Sequence, residues 1–163
     1  MNSLEKISFG GGCHWCTEAV FQALSGVRNV RQGFIRSTSP DDSWSEAVEV
    51  DFSPEEISLS DLLTVHLATH ASTSRHSMRD KYRSAIYTIS PEQSAMVTTE
   101  LDRISAATDN EFVTRVLPHH GFKFSETRFH NYYATDPERP FCRTYIDSKM
   151  AKLQTQFSRI MKA

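Results

Sequence analysis

Val48, Val50 and Phe52 alternate with Glu49 and Asp51, the period-two pattern of a half-buried strand. Elsewhere the spacing changes to four. Cys16, Val20 and Leu24 line one face of a helix from about His14 to Ser25, and Gly26 suits its C′ position. Before it, Lys6 to Phe9 forms a short strand ending in Gly10-Gly11-Gly12, which permits a tight turn. Val30 to Ile35 reads as a second strand. Ser60 is expected to cap a helix carrying Leu63 and Leu67. Ala85 to Ile89 is a further strand. In Ser90-Pro91-Glu92-Gln93 an N-cap serine, a proline at N1 and a capping-box glutamine open a helix with the stripe Val97, Leu101, Ile104. Phe112 to Leu117 reads as a strand. A short helix from Ser125 would set Phe129, Tyr132 and Tyr133 on one face. Asp147 would cap a last helix along Met150, Leu153, Phe157 and Ile160. About five strands and five helices, with no repeat or linker between them, predict an α+β, two-layer fold. Its helices pack on a mixed or antiparallel sheet in a single domain over residues 1–163.

Composition narrows the function. Of 163 residues, 39% are hydrophobic and 23% charged, the balance of an ordinary globular chain. A net charge of −2 argues against nucleic acid as a partner, which would need a basic excess. No apolar run is long enough for a bilayer and no basic-then-apolar leader opens the sequence, so a cytoplasmic location is the expectation, with no membrane partner. Three cysteines, Cys13, Cys16 and Cys142, do not read as a disulfide framework. Thiol chemistry or a metal is the better starting point.

The richest stretch is Phe9-Gly10-Gly11-Gly12-Cys13-His14-Trp15-Cys16-Thr17-Glu18. Strand, glycine turn and helix start put Cys13 among free backbone N–H groups at the positive end of a helix dipole. Both favour thiolate, so its pKa is expected below the reference of about 8.5. Trp15 offers an apolar wall to a methyl group. Cys13 and Cys16 also form a C-x-x-C pair able to close a disulfide across one turn. Alone, that pair fits a thioredoxin-like motif or half a zinc site. His66 and His70 stand one helical turn apart, a workable ligand spacing, but lie among leucines as packing or helix-end residues do. His119-His120 reads as a turn before Gly121.

These residues resemble the signature of the peptide methionine sulfoxide reductase A family, usually Gly-Gly-Cys-Phe-Trp-Gly. The likeness extends through Glu46-Ala47-Val48, Phe52-Ser53-Pro54, Ile57-Ser58, Leu62-Leu63, His70, Tyr82-Arg83-Ser84-Ala85-Ile86-Tyr87, Phe129-His130 with Tyr133, and Pro140-Phe141-Cys142. The resemblance implies a ferredoxin-like plait and reduction of methionine (S)-sulfoxide, free or in proteins. Cys13 would attack sulfur and be left as a sulfenic acid. Glu46, in a partly apolar pocket, would donate the proton, and Tyr82 would hydrogen-bond the sulfoxide oxygen. His14, Trp15 and Trp44 would contact substrate. Cys16 or Cys142 would close the disulfide. No cofactor or metal is implied beyond an external dithiol reductant such as thioredoxin.

The chain also departs from the family pattern. His14 replaces the usual phenylalanine, making the methyl pocket more polar or adding positive charge near Cys13. Cys16 replaces a glycine, and Trp44 stands where a histidine is common. The segment between Phe34 and Glu46 is short and lacks the family's glycine-rich loop. Ser77 falls where an aspartate is usual, and Asp80 does not align with it. A general thiol–disulfide oxidoreductase using Cys13 and Cys16, or an inactive homologue that binds without turnover, are the alternatives.

Overall fold

In the computed structural model, which describes residues 3–11, 14–70, 72–73, 82–126 and 131–162, six strands form one sheet in the order β5-β4-β1-β3-β2-β6. They are β1 (Glu5–Gly10), β2 (Val27–Ile35), β3 (Ser45–Phe52), β4 (Ala85–Thr88), β5 (Arg115–Pro118) and β6 (Phe122–Phe124). All pairs are antiparallel except β4 with β5. Helix α1 (His14–Gln22) joins β1 to β2, and α2 (Leu59–Ala68) joins β3 towards β4. Strands β4-β1-β3-β2 with these two helices are the expected plait. Helix α3 (Pro91–Thr108) precedes β5, and α4 (Tyr132–Thr135) and α5 (Asp147–Gln156) complete the α+β fold. No helix among the described residues is long and apolar enough to cross a membrane.

Alternation along β3 divides the core. Val48, Val50 and Phe52 meet Val20 and Phe21 of α1, Leu62 and Leu63 of α2, Val97 of α3 and Leu153 of α5. Each such fully buried side chain contributes about 1.5–3 kcal/mol. On the reverse face Ile35, Ala47, Ala85, Tyr87 and Leu117 form a smaller cluster backed by Phe122. The half-buried strand expected from the alternation is therefore buried on both faces. Glu49 is 7% exposed, and its carboxylate meets His119 Nε2 at 3.0 Å and Arg31 Nε at 3.3 Å. Burial alone would raise this carboxyl. The hydrogen bond and charge of His119, with Arg31 and Lys6, outweigh burial and hold it below its ordinary value. His119, read as a turn residue, thus also hydrogen-bonds a buried acid.

Local expectations shift where tertiary contacts compete. Ser58, not Ser60, caps α2, its Oγ accepting the Asp61 N–H at 3.0 Å. Ser90 caps α3 as expected, but Gln93 Oε1 accepts from Ile89 N while its Nε2 donates to Lys6 O of β1. Helix α1 ends at Gln22, and Gly26 takes the positive φ of +87°. Ser125 and Glu126 are not helical, the Ser125 N–H and Oγ bonding Gln32 and extending the pairing of β6, while residues 127–130 of the expected helix lie outside the described residues. Asp147 caps nothing, because a π-helical segment, Cys142–Ile146, runs straight into it. Strand β6 had no period-two signal in its three residues.

Gly33 of β2 is required by β6. A Cβ there would lie 2.1 Å from the Lys123 carbonyl oxygen and 2.9 Å from the Phe122 ring. Gly33→Ala is expected to destabilise the fold by about 1–3 kcal/mol. Urea unfolding, with hydrogen exchange reporting early loss of protection over residues 122–124, measures this.

Candidate active site

The site is organised where β1 turns into α1. The Gly10 carbonyl accepts from His66 Nε2 at 2.9 Å. A Cβ on Gly10 would come within 2.8 Å of Arg83 O and 3.2 Å of Glu46 O, so backbone from β1, β3 and the entry to β4 converges there. Gly11 has φ +150°, and a Cβ on it would strike the His70 ring at 2.5 Å. Two histidines thus hold the glycine turn from behind. His70 Nδ1 donates to His66 O at 2.5 Å, and its Nε2 faces Ser84 Oγ at 2.8 Å, which in turn meets Thr114 Oγ1 at 2.8 Å. The rings lie 4.2 Å apart. His66 and His70 were legible as a packing pair, but their grip on the turn was not.

His66 is 2% exposed, and among the described residues its Nδ1 has no hydrogen-bond partner. Burial, then the charges of His70 and Lys149, drive its pKa well below the usual imidazole value despite the Gly10 bond. The ring is neutral in the fold.

Glu46 is 7% exposed, and its Oε1 accepts the His14 N–H at 3.2 Å, on the first turn of α1. A carboxylate at a helix N-terminus is favoured by the dipole. His14 Nδ1 donates to Gly33 O at 2.9 Å, because a carbonyl can only accept. That tautomer turns Nε2 toward Glu46 Oε1, 3.6 Å away. Phe34 packs edge-on against the His14 ring at 5.2 Å.

Tyr82 is partly exposed and directly precedes Arg83, whose N–H donates to Ser45 Oγ at 2.8 Å, one residue from Glu46. Buried Arg83 spans the site: it donates to Tyr87 Oη (3.0 Å), Ser43 O (3.0 Å) and Ile35 O (3.4 Å), pinning the short 36–44 loop. Its signal was present in the Tyr-Arg-Ser run, but no role could be assigned from sequence.

Trp15 stacks on Tyr132 at 4.2 Å, with Phe141 edge-on at 5.2 Å. Beneath them Cys16 and Cys142, both buried, share an apolar cluster with Ala19 and Ile146. Burial pushes the Cys142 thiol up; Arg139 opposes this, and Asp136, Asp147 and Cys16 add to it. Glu18, 1% exposed, secures this C-terminal segment by accepting the Asn131 and Tyr132 N–H groups at 2.9 and 3.0 Å. Trp44, 37% exposed, lies under Lys123 and Arg36. Cys13, Ser77, Asp80, Phe129 and His130 lie outside the described residues. Among the described residues no group of three or more His, Cys, Asp or Glu side chains is placed to hold a metal ion.

A glycine turn braced by two histidines thus leads toward α1, whose first N–H meets a buried carboxylate and whose first turn carries Cys16, a setting suited to thiol chemistry. The sequence pattern of the family described as "Peptide methionine sulfoxide reductase" matches residues 5–161. Peptide methionine sulfoxide reductase MsrA of Deinococcus radiodurans is 34% identical over 171 residues, spanning 94% of this chain and 82% of its own. In fold, the crystal structure of reduced Mxr1 from Saccharomyces cerevisiae superposes with a TM-score of 0.70 at 20% identity, over 87% of this chain and 91% of that one. Mxr1 in complex with Trx2 superposes with a TM-score of 0.60 at 17% identity, over 76% and 81%. The chain belongs to the peptide methionine sulfoxide reductase family, and thiol-dependent reduction of methionine sulfoxide is its reaction.

The neutral buried His66 makes a pH prediction. Unfolded, its imidazole takes up a proton below about pH 6.5, which the folded site refuses, so stability falls as pH drops below that point. The wild type is expected to lose up to about 1.4 kcal/mol per pH unit there relative to His66→Gln, which keeps a donor for Gly10 but does not titrate. Paired urea titrations at pH 7.5 and 5.5 give the difference.

Proposed function

We propose that this chain reduces the (S)-sulfoxide of methionine, free or in proteins, with Cys13 as nucleophile and Glu46 as proton donor. The Cys13 thiolate attacks the sulfoxide sulfur while Glu46 delivers a proton to the oxygen. The protonated oxygen then passes to the Cys13 sulfur as its bond to the methionine sulfur and the newly formed S–S bond break, so methionine leaves and Cys13 is a sulfenic acid. Tyr82 donates a hydrogen bond to the oxygen as charge develops on it. Trp15, Trp44 and His14 contact the rest of the substrate. The observation that carries this reading is the His14 N–H bond to Glu46, which ties the acid to the residue next to Cys13 in the chain.

A second thiol then condenses with the sulfenic acid, releasing water and forming a disulfide. An external dithiol such as thioredoxin returns it to two thiols while itself becoming oxidised. Cys16, one turn from Cys13, and Cys142 are the partners in this relay. Their shared apolar cluster supports passage of the disulfide from α1 to the C-terminal segment. A yeast family member seen in a complex with Trx2 supports the choice of reductant. No resident cofactor enters the scheme, and a single domain at a cytoplasmic address completes the reading.

Turnover of each sulfoxide epimer, with dithiothreitol and separately with thioredoxin, tests the proposal. Cys13→Ser is expected to abolish methionine release, and Glu46→Gln to lower kcat/KM about 10²–10⁴-fold. Equal release by the wild type and Cys13→Ser would defeat the assignment. Mass spectrometry after one equivalent of sulfoxide is expected to find a disulfide in the wild type. A stable sulfenic acid on Cys13 in the double variant Cys16→Ser, Cys142→Ser is the matching outcome.

A further inference from the structure

Three strands place a row of side chains across one sheet face. Glu46 of β3 pairs in register with Phe34 of β2, and Phe34 with Lys123 of β6. At about 4.8 Å per strand, Lys123 starts about 10 Å from the backbone of the proton donor. Its ammonium is held over two rings, 4.6 Å from the Trp44 centroid and 5.6 Å from that of Phe34. Phe34 is the ring that packs against His14. Arg36 lies over Trp44 as well, 5.0 Å from its centroid.

Both cations are exposed, and neither forms an ion pair among the described residues. Both sit over aromatic faces. A cation over indole is attracted to the ring but keeps its charge, so it still attracts an anion. Elsewhere on this surface the arginines are matched: Arg28 with Glu56, Arg115 with Asp41, Arg159 with Asp61. The unmatched pair sits at the end of the row that begins at Glu46.

From this we infer that Lys123, with Arg36 behind it on Trp44, is a carboxylate-recognition subsite that sets which methionine sulfoxides the enzyme prefers. The inference rests on the reductase reading of Cys13 and Glu46. The sulfoxide group lies at the Glu46 end and the anion at the Lys123 end, with Phe34 forming the apolar floor between. Two sources supply such a carboxylate: the α-carboxylate of methionine sulfoxide at a free C-terminus, and an acidic side chain beside it in a polypeptide. The preference is electrostatic and near the surface, so it weakens as salt rises.

Three substrates separate the possibilities: N-acetyl-methionine (S)-sulfoxide, its uncharged amide, and the acetylated methionine sulfoxide–aspartate dipeptide amide. Wild type at low ionic strength is expected to favour at least one of the two anionic substrates over the amide about fivefold in kcat/KM, through KM. Which one it favours identifies the source. In Lys123→Met the ratio is expected to fall to about one, Lys123→Arg to keep it, and Lys123→Glu to reverse it. Circular dichroism of each variant confirms that it is folded. A wild-type ratio of one, or a ratio unchanged in Lys123→Met, overturns the subsite while amide turnover leaves the reductase reading standing. No turnover of any substrate by the wild type overturns that reading and the subsite with it.

Discussion

The closeness of backbone at Gly10 is the constraint on which the site depends. Three strands bring their carbonyls so near that no side chain fits, with Arg83 O and Glu46 O at 2.8 and 3.2 Å from where a Cβ would stand. Gly10 O is then saturated by a histidine buried in the core. A turn braced in this way starts α1 in one direction only. That direction brings the His14 N–H to Glu46 and sends Trp15 toward Tyr132. The start of α1 therefore takes its position from packing between β1, β3 and α2, which lie far apart in sequence.

Polar groups buried around this turn are arranged in matched sets. Arg83 donates to carbonyls and hydroxyls, and Glu18 accepts backbone N–H groups of one segment on both oxygens. Glu49 has a histidine and an arginine. An unsatisfied buried group costs about 1–3 kcal/mol, so each set favours one arrangement of the chain over its neighbours. The unmatched groups then stand out: His66 Nδ1 in the core, and the Lys123–Arg36 pair on the surface. One bears on acid stability, the other on the choice of substrate.

The two buried cysteines link the C-terminal segment to α1 through one apolar cluster. Cys142 follows the loop that Glu18 and the Trp15–Tyr132 stack tie to α1. Its burial disfavours the thiolate, with the nearby Asp136, Asp147 and Cys16 adding to this against Arg139. A π-helical segment carries Cys142 into this cluster, and that departure from regular helix is why the expected cap at Asp147 is absent.

Periodicity and end signals by themselves determined the elements of the plait: the alternating β3, the stripes of α1, α3 and α5, the Ser90-Pro91 start and the glycine turn. These depend on neighbours within a few residues, so a linear reading contains them. The order of motifs around Cys13, Glu46 and Tyr82 likewise sufficed to identify the family. Tertiary structure alone decided what required partners from remote strands. The two-sided burial of Glu49, the three-residue β6 paired through Gly33, the shift of the α2 cap to Ser58 and the brace of His66 on Gly10 are all of this kind. A histidine among leucines looks the same in sequence whether it fills space or holds a catalytic turn. Only the carbonyl it meets, 56 residues away, tells the two apart.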